Sequence, residues 1–188
     1  MTNSLQVLDD QRRGLRINFH WHRDRFSHSI GFADNERFIP LLASHEGTES
    51  DPWPLSPPLQ DLSVAEIETG QRSILLVGRA GKSHWSASVG TSLSPLAIQL
   101  DVACRIYEIP QILCSSYRSM TIPAISSPSQ VAVEVGGHTA WLQAEAVPDA
   151  ESYWEITAEG CALRTIPMNS DAPQTVRWKY RITVANPP

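Results

Sequence analysis

From Leu96 to Glu108 the chain reads LAIQLDVACRIYE, and its apolar residues fall on every second position. Leu96, Ile98, Leu100, Val102, Cys104 and Ile106 make one row, and Ala97, Gln99, Asp101, Ala103, Arg105 and Tyr107 fill the places between. A strand sends successive side chains to opposite faces, so the first row lies against a core. Wound as a helix, the same residues would spread around the whole circumference. The run is long beside the usual strand of about 5–6 residues. It is the expected central strand of a sandwich or barrel.

The same alternation recurs along the chain. Leu15, Ile17, Phe19 and Trp21 alternate with Arg16, Asn18, His20 and His22, and Phe26, His28, Ile30 and Phe32 resume it after Arg23-Asp24. A two-residue turn there places Trp21 opposite Phe26, Phe19 opposite His28 and Ile17 opposite Ile30, with the large apolar residues on one face. Further strands are expected at 37–43, 62–68, 73–77, 83–89, 112–117, 131–135, 138–147, 153–159, 161–166 and in TVRWKYRITV, with the second and third joined around Gly70 and Gly136-Gly137 marking a hairpin. Residues 1–13 read as loosely ordered. Residues 46–60, with Pro52, Pro54, Pro57 and Pro58, read as a proline-rich surface strap pinned by Trp53 rather than as a Pro54-x-x-Pro57 ligand for an adaptor domain. The turn-rich segment 119–130 reads as a loop.

Composition bounds the rest. The 188 residues, 41% hydrophobic and 19% charged, are enough for one folded domain, 1–188, with a sizeable core. The formal net charge of −5 argues against general affinity for nucleic acid, whose phosphates need a basic surface. The three cysteines, Cys104, Cys114 and Cys161, are odd in number and lack zinc-site spacing. Neither a charged-then-apolar leader nor a membrane-length apolar run is present, so the expected location is the cytoplasm, with no membrane partner.

Few motifs carry chemistry. SILLVGRAGKS (73–83) ends like a phosphate-binding loop, but Leu76 stands where that loop needs glycine, and HWSASVG reads as a strand instead of the required helix. Ser83 and His84 are adjacent on a strand and face opposite ways, so they do not form a nucleophile and base. The row Arg177, Lys179, Arg181 could attract an acidic ligand, pair with Glu145, Glu155 or Glu159, or face water. His20-x-His22 projects two imidazoles from one face, a geometry that suits a metal. With Gly14 six residues earlier, this fragment resembles the opening of the first cupin motif. The resemblance implies a metal-dependent enzyme on a β-barrel with His20 and His22 as ligands. The glutamate of that motif would fall at Phe26 or Ser27, and no second motif with a third histidine is found. The residue reading goes against metal: the pair shares a polar face with Arg16 and Arg25.

The expectation is thus an all-β, single-domain antiparallel sandwich or barrel of about nine to eleven strands with little or no helix. Its core includes Phe19, Trp21, Ile30, Leu100, Val102, Cys104, Trp178, Tyr180 and Ile182. The leading functional expectation is a non-catalytic binding or protein-interaction module without a cofactor, able to form a homo-oligomer through a strand edge. The alternatives are a cupin-like metal enzyme using His20 and His22, and a small-molecule or carbohydrate binder with a pocket in a barrel.

Overall fold

The computed structural model describes residues 3–35, 37–66 and 72–184. These form fifteen strands and no helix, arranged as two antiparallel sheets that are not closed into a barrel. The strands are β1 (Ser4–Leu8), β2 (Arg13–His22), β3 (Arg25–Asp34), β4 (Arg37–Ser44), β5 (Asp61–Glu66), β6 (Arg72–Ala80), β7 (Ser83–Leu93), β8 (Leu96–Ile106), β9 (Cys114–Ser119), β10 (Ala124–Ser127), β11 (Gln130–Val135), β12 (His138–Glu145), β13 (Ala150–Ile156), β14 (Gly160–Pro167) and β15 (Gln174–Val184). One sheet runs β1-β2-β3-β4-β9-β14-β13 and the other β10-β11-β12-β15-β8-β7-β6-β5. Each sheet ends on open rims: β1 and β13 in the first, β10 and β5 in the second. No helix among the described residues is long and apolar enough to cross a membrane.

The period of two explains where the core sits. Ile98, Leu100, Val102, Cys104 and Ile106 are all buried on β8, which lies inside the eight-stranded sheet between β15 and β7. Val176, Trp178, Tyr180 and Ile182 are buried beside it on β15. The β2–β3 hairpin has the expected register, with Trp21 opposite Phe26, Phe19 opposite His28 and Ile17 opposite Ile30. Arg23 makes that turn possible by taking a left-handed φ of 61°.

Several expectations need correction. The strands number fifteen rather than nine to eleven. Residues 4–8 are an ordered edge strand, because Leu5 and Val7 alternate into the core and β1 pairs with β2. Part of the expected loop 119–130 is β10, paired with β11. Trp21 is not core: it is 56% exposed and packs edge-on against Phe26 at 5.1 Å. Its parity points inward, but it stands beside the turn, at the hairpin tip. Glu68 and Gly70, assigned to a strand end and a turn, lie outside the described residues.

The proline-rich strap is the largest departure. Trp53, Pro54, Ser56, Pro57, Pro58 and Leu59 are buried, so the strap is part of the interior and its prolines are not presented as an adaptor ligand. It carries the chain from β4 in one sheet to β5 in the other and bonds to both. The amide of Phe26 donates to Leu59 O at 2.7 Å, that of Ser116 to Leu55 O at 3.1 Å, and that of Gln60 to Val77 O at 2.7 Å. Prolines suit this place because their missing donors leave fewer buried amides to satisfy. Trp53 meets Trp85 edge-on at 6.4 Å, and Trp85 meets Trp178 at 6.0 Å.

Candidate functional site

The residues singled out by sequence do not converge. His20 and His22 are exposed on β2, opposite Ser27 and Arg25. Among the described residues no three His, Cys, Asp or Glu side chains are placed to share one metal ion. Arg25, expected on the open polar face with that pair, is only 2% exposed. The strap covers it: its Nη2 donates to Thr48 O at 3.0 Å, and it holds Asp24 through Nε and Nη2 at 2.9 and 2.8 Å. Ser83 is buried and His84 exposed, so the two do face opposite ways. Gly81, with φ 54°, turns β6 into β7, and the GKS stretch opens a strand.

A buried polar chain crosses the interior. His28 Nε2 lies 3.0 Å from Tyr117 Oη, which lies 2.6 Å from Tyr180 Oη. Trp178 Nε1 donates to Ser115 Oγ at 2.9 Å. Burial pushes His28 down to about 4 and Tyr180 up to about 12, and lifts Tyr117 well above its ordinary value. All three are therefore neutral near pH 7, and all three are sealed from solvent. A general acid or base needs a pKa near the working pH and access to substrate. This chain has neither, and it serves to satisfy buried polar groups. Burial likewise pushes the thiols of Cys104, Cys114 and Cys161 up to about 12, which makes them poor nucleophiles.

Cavities separate the remaining readings. A pocket of about 150 Å³ lies at one end, where Phe32, Leu96, His138 and Val184 meet. Ligand sites usually measure about 300–1,000 Å³, so this one is small for a substrate or sugar. A larger opening is a shallow groove of about 660 Å³ on the outer face of the eight-stranded sheet. Asp61, Arg79, His84, Ser86, Ala103, Arg105 and Thr175 line it.

The groove is organised by register. Arg79 on β6 lies opposite His84 on β7, His84 opposite Arg105 on β8, and Arg105 opposite Thr175 on β15. These four exposed residues form one row across four strands, with no carboxylate in it. The two arginines flank His84 from either side, two strands apart, and the row holds no carboxylate to match them. Two residues along, the next row runs Asp61, Val77, Ser86, Ala103 and Arg177, so the small side chains of Ser86 and Ala103 floor the groove between Asp61 on one side and Arg177 on the other. Elsewhere on this face the cations are matched: Arg177 grips Asp101 in a two-pronged pair, and Lys179 meets Glu145 at 2.9 Å. Of the sequence-stated options for that row, pairing with Glu145 is realised, whereas Glu155 pairs with Arg164 and Glu159 with Arg118. Among the described residues neither Arg79 nor Arg105 has an acidic partner. Arg105 only reaches Thr175 Oγ1 at 3.5 Å and lies 5.9 Å from the Tyr107 ring.

Sequence reasoning missed this row. Arg79, His84 and Arg105 come from three strands and share no motif. The signal was strand parity, which puts each of them outward, but only the pairing register puts them side by side. Comparison with protein-family models finds none that matches the chain, and comparison with curated proteins finds no match either.

Proposed function

We propose that the protein is a non-catalytic binding module that takes an anionic ligand on the outer face of its eight-stranded sheet. The observation that carries this reading is the cross-strand row Arg79–His84–Arg105, lying over a groove with no acidic partner for either arginine among the described residues. Guanidinium groups form strong, two-pronged hydrogen bonds with carboxylate, sulfate and phosphate, and His84 adds an N–H donor. An anion lying across the row meets both guanidinium groups at once. The interior polar groups are sealed or held neutral, which supports binding over catalysis.

Citrate at low ionic strength tests this reading. At about ten times its dissociation constant, a ligand stabilises the fold by about 1.4 kcal/mol, or about 3–6 °C for a chain of this size. That rise is expected for the native protein and not for the double variant Arg79→Ala/Arg105→Ala. An equal rise in both rejects the reading, as does no rise in either together with no arginine-dependent binding of an acidic polymer.

A further inference from the structure

We propose that the ligand of this face is a linear acidic polysaccharide, whose carboxylate or sulfate groups lie across β6, β7 and β8 on Arg79, His84 and Arg105. This deepens the anion-binding reading and rests on it. Four features of the face point to this class.

Spacing comes first. Neighbouring strands stand about 4.8 Å apart, so a cross-strand row offers its donors at that interval. A chain bearing one oxyanion on each successive sugar ring repeats on the same scale. Shape comes second. The groove is shallow and lies on an open sheet face. Small ligands are instead held in concave sites that bury most of their surface. An extended polymer can cross a sheet face without being enclosed. Third is the floor. Ser86 and Ala103 leave room for a ring, and the hydroxyls of Ser86 and Thr175 can exchange hydrogen bonds with sugar hydroxyls. Fourth is Tyr107, which follows the last residue of β8 and flanks the row beside the groove. It is 49% exposed, 6.1 Å from the His84 ring and beside Arg105. An exposed aromatic ring with a polar tip suits the apolar face of a sugar.

Other polyanions fit less well. A nucleic-acid site commonly neutralises about 6–10 phosphates, whereas the remaining cations of this face are already matched by Asp101 and Glu145. An arginine cluster can also take an acidic peptide, but such a chain has no ring to lie on Tyr107, and strand addition is closed to it because β6, β7 and β8 are interior strands.

The test is native electrophoresis of the full chain through gels containing polygalacturonate, a sulfated glycan, neutral dextran, polyglutamate or single-stranded DNA. Native protein, Arg79→Ala/Arg105→Ala, Tyr107→Ala and the off-row control Lys179→Ala/Arg181→Ala are compared, each first shown to unfold cooperatively in urea. Retardation by polygalacturonate or by the sulfated glycan is expected, and which of them acts identifies carboxylate or sulfate as the group bound. Apparent affinity should fall by about tenfold or more in the arginine variant, as charge-assisted hydrogen bonds are lost. It should fall several-fold in Tyr107→Ala and hold in the control. Equal arginine-dependent retardation by polyglutamate or DNA overturns the polysaccharide assignment. So does a citrate response without retardation by either acidic glycan; in both cases the anion-binding face survives. Absence of every arginine-dependent effect, citrate included, removes both readings.

Discussion

Glu46 and His28 show how single buried groups can set the pH behaviour of the fold. The Glu46 carboxyl oxygens are buried beside Ser44 and Arg25, whose Nη1 has no hydrogen-bond partner among the described residues. Burial pushes Glu46 up to about 7 from 4.5, and the Ser44 hydroxyl and then the Arg25 guanidinium offset this only in part. Between those values the folded chain holds a proton that the unfolded chain releases, so Glu46 makes stability fall as pH rises from about 4.5 to 7. His28, pushed down to about 4 from 6.5, works the other way, because there the unfolded chain binds the extra proton. Stability then rises from pH 4 to 6.5. The two linkages oppose each other over most of this range. Glu46→Gln should leave the His28 limb alone, steepening the gain below pH 6.5 by about 1–3 kcal/mol relative to the native protein. Urea midpoints at half-unit pH steps check this; parallel curves would show that Glu46 is already ionised in the fold.

At the scale of elements, the strap does more for the fold than its irregular sequence suggests. It bonds to β3 and β9 in one sheet and to β6 in the other, and its tryptophan extends the edge-on series Trp53, Trp85, Trp178. Gly78 on β6 lets it lie close, since a Cβ there would overlap the carbonyl oxygen of Pro58. Trp53→Ala should cost about 3–5 kcal/mol, the usual loss for a buried aromatic. Gly78→Ala should also destabilise, although it adds only a methyl group. Guanidinium denaturation measures both. A Trp53→Ala cost below about 1 kcal/mol would mean that the strap is a surface loop after all.

For the whole molecule, the three thiols report on global opening. Cys104, Cys114 and Cys161 sit on β8, β9 and β14, in both sheets, and each is fully buried. Their reactivity should therefore be gated by unfolding of the sandwich and not by local fraying. Labelling with a thiol reagent should proceed at one common rate for all three and match the global unfolding free energy. A cysteine that labels much faster than the others would locate a sub-global opening of its sheet.

Most of the strands, and the faces they present, could be read from local pattern alone. A period of two is a local property, so the β8 row, the β15 row and the β2–β3 register were legible, and eight of the nine named core residues are buried. Trp21 was misjudged because parity tells which way a side chain points and not whether anything lies opposite it. The strand β1 was missed because Leu5 and Val7 make too short a row to stand out, and β10 because it buries none of its residues and is held by pairing to β11. The strap's burial and the enclosure of Arg25 were decided by the crossing between sheets, a contact of distant segments. The same holds for the candidate site. Arg79, His84 and Arg105 each pointed outward by parity, but only the hydrogen-bond register of four strands brings them into one row, and it is their adjacency that makes them more than three solvated charges.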